Sequence, residues 1–212
     1  MDMIRRVEHT SATVREAQRV LLEHLGALTL DPSQASRLPG WTIGHVLTHL
    51  ARNADSVVRR LEASARGEVV SQYAGGAEGR SHEIEQGCFR PYEVQVVDLI
   101  ASCEGLDAHV WTVPDEAWSF ETPSTSGEMQ PGLVVLARRQ REVIIHHSDL
   151  GIGFGPEQWP ISFAEQLVDE LLNDVPDRSD PRRLAGWLTD RSGPPPIAPW
   201  GEVAPNRDPQ AT

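Results

Sequence analysis

The stretch "TIGHVLTHLARNADSVVRRLEASAR", residues 42–66, reads as one amphipathic helix. Ile43, Val46, Leu47, Leu50, Ala54, Val57, Val58 and Leu61 recur three and four residues apart, which places them on one side of a helix. Thr42 suits the N-cap, since its hydroxyl can accept from a free N–H of the first turn. Trp41 precedes the cap, where an apolar residue often packs at the helix entry. The stretch also carries His45 and His49, one turn apart. At roughly 100° per residue, His49 lies about 120° from the centre of the apolar stripe and His45 about 160° from it. The expectation is therefore that His49 stands at the shoulder of the buried face and His45 on the outer surface.

Three further segments share this periodicity. One runs from Met3 to Leu28, before the proline- and glycine-containing break "LDPSQASRLPG". Another covers Pro91 to Val113, with Pro91 suited to the first turn. The last runs from Gly132 to Leu150 and stops at Gly151. "GEVVSQYAGGAEGR" reads as a loop, and a short strand pair is expected near Trp118 to Phe120. A shorter helix is expected from Ser162 to Asn173, and one or two turns within "DRSDPRRLAGWLTDRSG". The proline-rich final residues read as extended. Four long helices with little strand signal imply a mainly all-α protein, an antiparallel four-helix bundle over residues 1–155. Residues 156–212 form a short C-terminal appendage.

The formal charge of −12 over 212 residues excludes nucleic acid and anionic membrane as main partners. All nineteen basic residues are arginines. Cys88 and Cys103 have no zinc-motif spacing and form no disulfide framework, so reduced thiols in a cytoplasm are expected. No run reaches the length of a membrane span.

The fourth helix carries the sharpest chemical signal. In "GLVVLARRQREVIIHHSDLG", Glu142, His146 and Asp149 share one narrow face, flanked by Arg138 and Arg139 and bordered by apolar residues. A carboxylate there must be paired or hold a cation. Glu142 and His146 are one turn apart and can reach one ion, with His49 as a third ligand from the second helix. Two histidines and a carboxylate leave a coordination position open, as catalytic zinc requires. The same spacing also suits hydrogen-bonded core histidines with Glu142 paired to Arg138. His147 points about 100° away from this face. His9, His24, His82 and His109 fit no ligand pattern. Tyr73 can line a pocket; Trp118, Trp159, Trp187 and Trp200 read as packing residues, and both cysteines as small buried ones.

"GWTIGHVLTHLARNAD", "EGRSHEIEQGCFRP" and "REVIIHHSDLG" together resemble the mycothiol-dependent maleylpyruvate isomerases, which are DinB-like metal-binding four-helix proteins. The resemblance spans Val7 to Gly151 and implies that His49, Glu142 and His146 bind zinc or another divalent metal. It implies mycothiol, a low-molecular-weight thiol, as cosubstrate. It also implies conversion of maleylpyruvate to fumarylpyruvate by addition of a metal-stabilised thiolate to the double bond. The anionic substrate would need arginines, and Arg80 and Arg191 are the candidates. Asp149 would orient a ligand from behind, or cap its helix. Family members carry a mixed helix–strand domain after the bundle, whereas some sixty residues follow Gly151 here. That difference keeps two other readings open: a mycothiol S-transferase acting on another electrophile, and a non-catalytic metal-binding bundle.

Overall fold

A computed structural model describes residues 2–173 and 175–198. Trp200 and the end of the proline-rich tail lie outside them. The chain divides into two compact units, the first ending at Glu157 and the second beginning at Gln158.

The first unit is a mainly helical bundle of α1 (Met3–Gly26), α2 (Ile43–Ala65), α4 (Tyr92–Val110) and α5 (Gly132–Asp149). Side-chain pairs fix the helix directions. Gln18 meets Arg139 and His24 meets His147, so α1 and α5 run parallel. His49 meets Glu142, and Leu61 packs beside Gly132, so α2 and α5 are antiparallel. Gly44 lies against Gln95, and Arg52 bonds Asp98 and Ser102, so α2 and α4 run parallel. Two helices thus run each way, in the order up, down, down, up. A parallel α2–α4 pair needs a long crossover. Residues 66–91 supply it, and they carry α3 (Gly76–Gly87).

The sequence reads residues 67–80 as loop, but helix begins at Gly76. Gly75 at φ +75° turns the chain into it, a conformation that favours glycine. Only Ile84 and Gly87 of α3 are buried, so no apolar stripe marks the helix. Pro91 is the N-cap of α4 rather than a first-turn residue. The strands, β1 (Glu121–Pro123) and β2 (Met129–Pro131), pair antiparallel just after the expected position. Trp118 itself sits fully buried in a 3₁₀ turn, Asp115–Ser119. Gly151, at φ +72°, ends α5.

Two apolar clusters fill the bundle. One gathers Val14, Val57, Leu61, Leu106, Trp118 and Leu136, and the other Leu21, Leu47, Leu50, Leu99, Val143 and Leu150. Between them lies a polar layer built on Arg139, which is 1% exposed. Its guanidinium donates to Gln18 Oε1, the Leu50 carbonyl and Asn53 Oδ1. A buried cation persists only with such acceptors.

In the second unit, α6 (Ile161–Leu172) buries Phe163 and Leu167, and Trp159 meets Phe163 edge-on. Asp180 caps α7 (Pro181–Leu188) by accepting from the Arg182 and Arg183 N–H groups. Trp187, expected to pack, is 42% exposed because this short helix buries only Leu184. No helix among the described residues is long and apolar enough to cross a membrane.

Candidate metal centre

The first unit brings His49, Glu142 and His146 together, with one donor atom from each lying within 4.8 Å of the others. His49 comes from the second turn of α2. Glu142 and His146 are one turn apart near the end of α5, which runs antiparallel beside it. Glu142 Oε2 is 3.0 Å from His49 Nε2 and 3.5 Å from His146 Nε2. The two imidazoles meet edge to face at 4.7 Å. Behind them, His146 Nδ1 donates to Asp149 Oδ2 at 2.8 Å. That bond orients the ring and keeps its Nε2 toward Glu142.

The charges follow from the surroundings. Burial is the main influence on His49 and pulls its pKa down to about 4, so it is neutral at pH 7. Burial opposes ionisation of Glu142. The hydrogen bonds and charges of His146 and His49 outweigh this and hold it well below the usual carboxylate range. Burial likewise opposes charge on His146, but Asp149 and Glu142 together raise its pKa to about 9. The cluster therefore holds one neutral imidazole, one carboxylate and one imidazolium, whose proton stands where a cation's charge would. Two imidazoles and a carboxylate with donor atoms this close suit a divalent metal, zinc foremost. One feature must change on loading. Arg80 Nη2 lies 3.3 Å from His49 Nδ1. A guanidinium only donates, so Nδ1 accepts and Nε2 carries the proton. A metal held by Nε2 would need the Nδ1–H tautomer, and Arg80 would then have to leave the ring.

The cluster opens on a cavity of about 440 Å³. Arg80, from α3, lies over the rings of Trp41 and Tyr73 at 5.6 and 5.8 Å and lines this cavity. Arg60, Arg138 and Arg139 line it as well, against a single carboxylate, Glu142. Arg138 does not pair with Glu142; it reaches Glu128 at 3.0 Å. Arg191 belongs to the second unit, where it is exposed and donates to the Thr189 carbonyl.

His45 is not on an outer surface. It is 8% exposed, because α2 packs against α3, α4 and α5 and so lacks a solvent face there. Trp41 and Phe89 cover its ring. With Glu85 and Cys88 it makes a second group of close donors. His24, which fits no ligand pattern, pairs at 2.9 Å with His147, which points away from the Glu142 face and stacks on Phe154 at 3.8 Å. Sequence reading missed Arg60 because "SVVRRLEAS" resembles a solvated arginine pair. It missed the role of the hairpin because short strands leave a weak pattern.

The model of the mycothiol maleylpyruvate isomerase N-terminal domain matches residues 14–151. The chain belongs to this family. Two solved structures carry the same fold: a mycothiol-dependent maleylpyruvate isomerase and a histidine-to-alanine variant under the same name. Each is 26% identical, with a TM-score of 0.72, over 78% of this chain and 69% of its own. No curated protein matches the sequence. The family match ends at Gly151, beyond Asp149, and so contains the whole donor cluster and Arg80.

Proposed function

We propose that the protein is a mycothiol-dependent cis–trans isomerase that converts maleylpyruvate to fumarylpyruvate. Family membership supports the reaction class. The observation that carries the reading is the convergence of His49, Glu142 and His146 on a cavity lined by arginines, in a protein of net charge −12. Residues 1–155 act as the metal-binding bundle, in a cytoplasmic protein.

His49, Glu142 and His146 hold the metal. When bound, a divalent metal stabilises thiolate over thiol and so provides a nucleophile at neutral pH. Asp149 fixes the His146 ring through Nδ1. Arg80, released from His49, donates to a carboxylate of the dianionic substrate, while Trp41 and Tyr73 limit where its guanidinium can go. The mycothiol sulfur forms a bond to one alkene carbon, and the π electrons move onto the conjugated carbonyl. The former double bond is now single and rotates. Reversal expels the thiolate and restores the double bond in its trans form, with no net oxidation or proton change.

Metal analysis of the purified protein, followed by an ultraviolet assay with maleylpyruvate and mycothiol, tests this reading. Stoichiometric divalent metal and thiol-dependent isomerisation are expected. Metal without isomerisation would move the reading to a mycothiol S-transferase. Lack of metal would remove the site.

A further inference from the structure

Arg60 is the anomaly of the cavity. It is 3% exposed, yet among the described residues it makes no ion pair. Its Nε donates to Thr122 Oγ1 at 2.9 Å. Its Nη2 donates to the Thr122 carbonyl at 2.8 Å and to Gln130 Oε1 at 3.2 Å. These neutral oxygens tie the hairpin to α2, but they use only part of the guanidinium. Among the described residues Nη1 makes no hydrogen bond, and Arg60 lines the cavity. Burial pulls its pKa to about 10, so the cation persists at neutral pH. Glu128, the nearby carboxylate, is taken by Arg138 and Gln130. Glu128 therefore acts on Arg60 only through space, and Nη1 is left to donate to an anion that enters the cavity.

Position separates Arg60 from the donor cluster. His49 and Arg60 lie on the same helix, about 16 Å apart at 1.5 Å per residue. The layers between them, Asn53 with Arg139 and then Val57 with Val135, also line the cavity. The cavity therefore extends along the bundle, with the donor cluster and Arg80 toward one end and Arg60 toward the other.

We propose that Arg60, braced by Thr122 and Gln130, is an oxyanion-binding subsite that receives the distal carboxylate of an elongated ligand whose other end lies beside Arg80 and the His49–Glu142–His146 cluster. This goes beyond the isomerase reading and does not depend on it. It assigns the cavity a ligand longer than a small diacid and makes Arg60 a length-specificity residue.

The test uses the full chain and calorimetric affinities for succinate, suberate and dodecanedioate, each against its matched monoacid: butyrate, octanoate and dodecanoate. Pairing by length cancels the contribution of the apolar chain. The wild type is expected to favour a longer diacid over its monoacid by about tenfold, the scale of one charge-assisted hydrogen bond. Succinate is expected to show no such advantage. Arg60→Gln should abolish the advantage and Arg60→Lys should keep part of it. Two outcomes overturn the proposal: a wild type in which no diacid outbinds its monoacid, or an advantage that survives Arg60→Gln. The wild-type comparison decides even if Arg60→Gln loosens the hairpin.

Discussion

One turn apart on α2, two histidines anchor two groups of close donors, and the groups differ in where their protons sit. Around His45 the Thr42 N–H donates to Nδ1 at 3.2 Å. A backbone N–H has no alternative role, so Nδ1 must accept and Nε2 must carry the proton, directed at Glu85 3.5 Å away. Cys88 is held as thiol, since burial first and the Glu85 charge second raise its pKa. Glu85 itself stands in water. Around His49 the carboxylate is half-buried and ionised, and the Asp149 bond directs His146 Nε2 inward. The tautomer of His49 is set by Arg80, a side chain that can leave. Spacing alone does not separate the two groups; the permanence of their hydrogen-bond partners does.

The largest expected effect breaks the second group. His49→Ala should lose stoichiometric zinc, measured by elemental analysis, and thiol-dependent isomerisation with it. His45→Ala should keep both. Equal metal loss from the two variants would sink the assignment of His49 as the ligand.

Asp149→Asn comes next. The amide can still meet the ring but no longer matches its Nδ1–H with a charge, and loss of such support costs about 10- to 100-fold in metal affinity. Competition with a metal-binding dye would read this. An unchanged affinity would reduce Asp149 to the cap of its helix region.

The pH dependence is smaller per step and has a definite sign. Below about pH 9 His146 is protonated, so a cation must displace that proton. Apparent metal affinity should therefore rise about tenfold per pH unit between roughly pH 6 and pH 8. His49, with its pKa near 4, adds no slope in this window. A flat profile would mean that His146 is already neutral without metal.

These contrasts also show what the sequence could carry. The long helices were legible because their apolar residues recur at helical spacing. The shared face of Glu142, His146 and Asp149 was legible because it interrupts such a pattern with three chemically matched groups. The position of His45 was not. A helical wheel assumes one buried face, whereas α2 is packed on nearly all sides, with Gly44 tight against the Cys88 carbonyl. Arg60 and Arg139 were hidden for a related reason. An arginine in a helix reads as solvated unless its acceptors are known, and those acceptors, Gln130 and Gln18, come from distant parts of the chain. The crossover that delivers Arg80 was hidden by the glycines and weak amphipathicity of α3.

The smallest expected effect sharpens the first group. If His45 is a capping residue, His45→Ala leaves the Thr42 N–H without its acceptor and removes a ring packed against Trp41 and Phe89. Loss of the cap should cost about 1 kcal/mol, read as a fall of a few degrees in Tm. His45→Gln then decides between capping and ligation. Glutamine three residues after the cap can accept from the same N–H, so it should recover part of the Tm. A metal-ligand role predicts the reverse, since an amide substitutes poorly for imidazole at zinc. Recovery of Tm with metal content unchanged throughout would fix His45 as the residue that starts α2 and so sets the orientation at which His49 meets Glu142.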